Sequence, residues 1–179
     1  MALTLLWTAA ARGEEYTFGL HDVTVVQDGH GLARVLFRTD SVPASGRVLV
    51  ERATLTVPYA GATEDRSTEL RICPVTRAWG GGADWTTPFD EELYGRSELD
   101  LRRGSGVLSF DLTAAIRAAR ESASFADGFV LTLGAGRAGG IRVEDLARLS
   151  GLAGARLEVT TNTLPSGPPP QRWIERHQG

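Results

Sequence analysis

The chain has no lysine and only one cysteine in 179 residues. All 19 of its permanently basic side chains are therefore arginine, and they are scattered rather than gathered into a block. A concentrated cationic face is what holds a nucleic-acid backbone, so a nucleic-acid partner is excluded. The formal net charge of −3 points the same way. The single cysteine, Cys73, rules out an intrachain disulfide and any CxxC metal site. It sits in the strand-like run 70–75 with nothing nearby to depress a thiol pKa, and reads as a half-buried thiol rather than a nucleophile.

Catalytic signatures are missing too. His21, His30 and His177 are far apart, and there is no GxSxG, no HExxH and no phosphate-cradling loop. Gly80, Gly81 and Gly82 form a glycine run without the Lys-Ser/Thr of a P-loop. With 22 carboxylates, chance pairing is expected, so no glycosidase acid–nucleophile pair is assigned. No enzyme is expected. Long hydrophobic runs are likewise absent. The one apolar stretch, 2–11 (ALTLLWTAAA), is far too short to span a bilayer. Followed by the polar 12–15 (RGEE), it looks like the core and cleavage site of a signal peptide, cut after Ala11, although it lacks the positive leading region. The other reading of residues 1–14 is an N-terminal edge strand in which Thr4, Leu5, Leu6 and Trp7 pair.

What the chain does have is alternation of period two, with frequent Gly, Pro and Asp turns. Residues 22–27 (DVTVVQ) read as a strand ending at the Asp28-Gly29 turn, and 32–38 (LARVLFR) as its successor. After loop chemistry at 41–46, residues 47–59 alternate Ala53, Leu55 and Val57 against Thr54 and Thr56. Residues 68–76 form a strand bent at Pro74, because proline cannot donate to a ladder. Residues 77–103 read as one long irregular stretch. Strands resume at 106–111 and 128–133, the latter apolar enough to be buried on both sides. Residues 113–120 (TAAIRAAR) are the one convincing helix, capped by Asp111 or Thr113. Residues 141–148 fit either strand or helix, and 155–161 (ARLEVTT) close the domain. The proline-rich 164–179 form a tail. Together these predict an all-β fold: a two-sheet antiparallel β-sandwich of jelly-roll order, with one short helix, over residues 15–163.

The order of these pieces resembles the DNRLRE (disaggregatase-related) domain from about residue 33 to 160. The opening is carried by 33–40 (ARVLFRTD), Val42-Pro43 and 52–57 (RATLTV), then by Trp79, Trp85 and Pro88. Phe110-Asp111-Leu112-Thr113 before Ala114-Ala115-Ile116, the strand Gly128-Phe129-Val130-Leu131, and Leu157-Glu158-Val159 match its later steps. The family's tryptophan on the short helix falls near Ala119, and its proline before the last strand is Ala155 here. Ile141-Arg142-Val143-Glu144 is a loose copy of the penultimate strand. The resemblance implies a secreted or cell-surface binding or scaffolding module of the carbohydrate-binding kind, without naming a ligand.

Sugar rings stack on exposed indole and phenol faces while carboxylates and guanidinia bond their hydroxyls. Trp79, Trp85 and Tyr94 are the candidate platform, with Asp84, Asp90 and Arg96 as polar company. The alternative is that Trp79 and Trp85 pin the loop to the sandwich. No cofactor is required. Asp84, Asp90, Glu91 and Glu92 could ligate a structural calcium, but they lack EF-hand spacing, which favours a solvated acidic loop. Two functions follow: a non-catalytic module binding polysaccharide, or a structural, self-assembling surface or filament protein. In the second, Leu5, Leu6, Trp7, Trp173 and Ile174 would meet other copies of the chain.

Overall fold

The computed structural model describes residues 13–40, 48–79, 82–121, 127–133 and 140–163. The N-terminal run with Leu5, Leu6 and Trp7, the loop at 41–46, and the tail with Trp173 and Ile174 lie outside the described residues. Among these residues the chain forms strands β1 (Gly13–Phe18), β2 (Leu20–Gln27), β3 (Leu32–Thr39), β4 (Val48–Ala60), β5 (Ser67–Pro74) and β6 (Gly95–Asp100). They are followed by β7 (Ser105–Asp111), helix α1 (Thr113–Glu121), β8 (Phe129–Leu133), β9 (Ile141–Arg142), helix α2 (Val143–Arg148) and β10 (Arg156–Thr163).

Two antiparallel sheets pack face to face. The first runs β1-β10-β4-β7 and the second β2-β3-β8-β5-β6, with β9 attached to β3. Among the described strands only β2–β3 and β5–β6 pair as chain neighbours; β8 and β9 both lie in the second sheet, and the other connections cross between sheets. That alternation is the jelly-roll order. The interior follows from the pleat: successive side chains point to opposite faces, so one parity of each strand is buried. On β4, Ala53, Leu55 and Val57 are fully buried, and on the second sheet Val35, Phe37, Ile72 and Leu131 meet them across the core. Each such aliphatic or aromatic side chain contributes about 1.5–3 kcal/mol by leaving water. A bulge keeps the phase correct. Where β10 steps from Thr160 to Thr161, β4 steps from Arg52 to Val50, so Glu51 is the extra residue and Val50 returns to the interior.

Two strands lie where no strand was predicted. β6 falls inside the stretch 77–103, and β1 covers 13–18. β6 (GRSELD) carries Leu99 as its one apolar side chain, and β1 (GEEYTF) turns only Tyr16 and Phe18 toward the core. At the corner between the sheets, a Cβ on Gly95 would fall 2.6 Å from the Asp111 carbonyl oxygen, so glycine is what lets β6 approach the end of β7. The ambiguous residues 141–148 are both things in turn, β9 and then α2. Pro74 ends β5, beyond the last residue paired with β6.

Helix α1 closes one end of the sandwich with Ala115, Ile116 and Ala119 buried. Asp111 caps it, its Oδ1 accepting the Thr113 N–H at 2.9 Å and the Thr113 hydroxyl at 2.6 Å. The Thr113 hydroxyl oxygen in turn accepts the Ala53 N–H at 2.9 Å, tying the helix to β4. Helix α2 is held by charge. Asp145, 2% exposed, takes both ends of the Arg66 guanidinium at 2.9 and 2.5 Å, and Arg148 stands 3.7 Å away. Arg66 and Arg148 both also bond Glu64, so the loop before β5 is fixed to α2.

Removing the buried partner leaves Arg66 without its bidentate acceptor. We expect Asp145→Ala to lower unfolding stability by about 2–3 kcal/mol, below the roughly 3–5 kcal/mol of a fully buried pair because Arg66 is partly solvated. A urea midpoint unchanged from the native protein would show that this network is only a surface ornament. The hydroxyl and N–H of Thr113 hold the Asp111 carboxyl below its ordinary value. Its contribution is therefore full above about pH 4, the ordinary aspartate value, and is lost as pH falls through the depressed one. In Asp111→Ala, a loss of about 1 kcal/mol at neutral pH should shrink toward nothing in strong acid, read by denaturant melts at both pH values.

Candidate functional site

The strongest concentration of unusual side chains lies on the outer face of the second sheet. The outward parity of these strands is apolar at its centre, where Leu36 on β3, Val130 on β8 and Cys73 on β5 stand in one row. The segment after β5 covers that row. Val75 and Phe89 pair as an isolated bridge, and Thr76 N–H reaches the Pro88 carbonyl at 3.0 Å. This closes the neck of an Ω-shaped excursion. Val75, Trp79 and Phe89 from this segment complete a second apolar cluster with Val26, Leu36, Cys73 and Val130. The strand β8 is thereby buried on both faces.

Three arginines of the outer face stack on the three aromatic candidates. Arg38 lies 4.4 Å from the centre of the Trp79 ring and donates to the Trp79 carbonyl. Arg34 lies 4.0 Å from the Trp85 ring and 5.0 Å from Phe89, and donates to the Trp85 carbonyl at 2.8 Å. Arg71 lies 4.2 Å from the Tyr94 ring. Each is a guanidinium over the electron-rich face of a ring, attractive by about 0.5–2 kcal/mol according to its desolvation. Arg34 and Arg38 are four residues apart on one strand, which places both on the outward parity.

The structure separates the predicted residues into distinct settings. Trp79 is 8% exposed, with its indole N–H on the Asp127 carbonyl at 2.5 Å, so it anchors the loop. Trp85 is half-buried and borders a cleft of about 270 Å³ with Arg34, Thr86, Thr87, Pro88 and Phe89. A Cβ on Gly140 would fall 2.4 Å from the far edge of the Trp85 indole, so glycine makes the seat for that ring. Asp84 is exposed beside the cleft, and its Oδ1 accepts the Thr86 N–H and hydroxyl at 2.8 and 2.7 Å. Those bonds, the hydroxyl first, hold its carboxyl below the ordinary aspartate value. Tyr94 and Arg96 belong elsewhere, with Arg71 and Glu69 on β5 and β6.

Asp90 spends its Oδ1 on the N–H groups of Glu92 and Leu93 at 2.9 and 3.3 Å, organising the turn before β6. Among the described residues no three His, Cys, Asp or Glu side chains come together as a metal site. The calcium candidates Asp84, Asp90, Glu91 and Glu92 thus do not converge. Arg34 and Phe89, two walls of the cleft, were not among the predicted site residues. Their signal was present: 32–38 is apolar on both parities, which requires something to cover the outer one. A second hollow of about 350 Å³ lies on the outer face of the first sheet, lined mainly by polar residues such as Glu15, Arg52, Thr54 and Glu158.

No family model matches this chain, and no curated protein matches it.

Cys73 reports on this arrangement. It is 2% exposed beneath the loop, and burial pushes its thiol up to about 12. We expect the native protein to react with a thiol reagent such as DTNB at pH 8 at least about tenfold more slowly than an open thiol of ordinary pKa. Trp79→Ala should restore much of that reactivity while far-UV circular dichroism stays native. Equal rates in both proteins would mean that Trp79 does not hold the loop down.

Proposed function

We propose that this chain is a non-catalytic β-sandwich module of the cell surface or extracellular matrix that binds polysaccharide at the Trp85 cleft. One observation carries the reading: a partly exposed indole at the border of a hollow whose other walls are the Arg34 guanidinium, apolar side chains and hydroxyls. The walls Trp85, Pro88 and Phe89 suit the CH-rich face of a sugar ring, and Thr86 and Thr87 line the same cleft with side chains that carry hydroxyls. Asp84, kept ionised by its bonds to Thr86, adds an acceptor at the rim. At about 270 Å³ the cleft lies just below the usual range for small-molecule pockets, which begins near about 300 Å³. It has room for one ring of a longer chain, and weak binding per site is the expected regime.

The non-catalytic part of the reading is supported by how the candidate groups are employed. The one thiol is buried with a raised pKa, and the carboxylates of Asp84 and Asp90 are committed to N–H groups of their own turns. The extracellular setting rests on the resemblance to DNRLRE domains and on the apolar run at 2–11, both properties of the sequence.

The test is retention on a panel of insoluble polysaccharides, followed by titration of whichever is bound. Trp85→Ala should weaken binding by about tenfold or more, equivalent to about 1.4 kcal/mol. Thr86→Ala, which leaves the apolar seat in place, should weaken it less. Retention by no polysaccharide would refute the reading, as would a Trp85→Ala protein that keeps a native spectrum and full affinity.

A further inference from the structure

Among the described residues the sandwich is one strand short on one flank. At the opposite flank β6 and β7 are joined, the Ser109 N–H bonding the Ser97 hydroxyl at 3.1 Å. Counting away from that corner, the first sheet runs β7, β4, β10, β1 and the second runs β6, β5, β8, β3, β2. Among the described residues nothing in the first sheet faces β2. Its exposures record the shortfall. Val25 stands opposite Val35 in the ladder and shares its inward face, yet Val35 is fully buried while Val25 is 46% exposed and Val23 44%. Among the described residues β2 pairs only with β3, so its other edge presents a row of backbone donors and acceptors.

Sheet edges of this kind pair with other chains unless something blunts them, usually lysine, proline or a bulge. The chain contains no lysine. The β2 bulge sits at one end, between His21 and Thr24, where Asp22 adopts a φ of 50°. The charges gather at that same end, with Asp22 bonded to Arg38 at 3.0 Å and to His21 at 3.3 Å. Residues 23–27 (VTVVQ) are left regular, uncharged and free of proline.

We propose that β2 is a self-association edge, pairing antiparallel through residues 23–27 with the same residues of a second copy about a two-fold axis at Val25. The second sheet then continues from one copy into the other. A second copy fits because the segment is its own complement. It carries no charge to oppose its twin, and the overhanging valines of both copies lie side by side on one face, each pair sheltering the other from water. This contact lies on β2 and is independent of the Trp85 cleft.

The test is mass by light scattering coupled to size exclusion, on the full chain over a wide concentration range. We expect the native protein to reach the mass of two chains, and Val25→Lys, which sets two like charges face to face on the axis, to remain a single chain with a native circular-dichroism spectrum. Val25→Cys should form a covalent dimer under mild oxidation, since the buried Cys73 cannot compete; this arm holds even where the lysine variant folds poorly. A native protein that stays a single chain at every concentration overturns the proposal, as does a Val25→Lys protein that still dimerises. So does a dimer abolished by Leu5→Glu with Trp7→Glu in the full chain, which would place the contact in the N-terminal run.

Discussion

The rest of this structure depends on one constraint: the second sheet is apolar on both faces. A sandwich strand ordinarily needs one covered face, supplied by the opposite sheet. Here Leu36, Val130 and Cys73 point away from the core, and burying them requires a third layer. The segment from Val75 to Phe89 is that layer, and the arginines on either side of the apolar row fix it in place. Arg34 and Arg38 are well suited to this, because a guanidinium can stack on an indole and donate to the same residue's carbonyl at once. A lysine would offer a point charge without the plane. The exclusive use of arginine, which looks like mere composition in the sequence, therefore has a structural use at these two positions.

How far the fold can be read from the sequence depends on how much of each strand's apolar parity is filled. β4, β7 and β10 each bury two or more side chains of one parity, and their alternation is plain in the sequence, while β8 is legible as a short run apolar on both parities. β1 and β6 hold edge positions in their sheets, where a strand is required to bury little; with one or two inward apolar side chains, their sequences look like loops. The region 141–148 defeats periodicity for another reason. Two residues of β9 are too few to show alternation, and the single turn and a half of α2 is held by the buried Asp145 and its arginines rather than by an apolar stripe.

The site is less legible than the fold, because its partners are far apart along the chain. Trp79 and Trp85 stand out as aromatics in a glycine-rich stretch, but the residues that decide their settings, Arg38 and Arg34, lie 41 and 51 positions earlier. Nothing local separates the buried ring from the half-open one. The difference is geometric: Trp79 has its N–H taken by Asp127 at the base of β8, whereas Trp85 rests on the small seat at Gly140 and keeps a border on the cleft. A tryptophan that anchors a loop and one that edges a cleft have the same sequence signature.

The two outer faces and the flank then divide the surface by chemistry. The outer face of the first sheet carries Glu15, Thr17, Arg52, Thr54, Glu158 and Thr160, side chains content in water, so it needs no cover. The outer face of the second sheet is apolar and is covered by the chain's own loop. Among the described residues the flank at β2 leaves Val23 and Val25 with no strand of the first sheet over them, because a five-strand path is laid against a four-strand sheet. The asymmetry follows from topology: β2 and β3 form a hairpin within one sheet, and among the described residues β1, the strand before them, has no hairpin partner of its own in the other. The same count that makes the jelly roll close at β6 and β7 leaves it open at β2, and the exposed valines are the residue of that arithmetic.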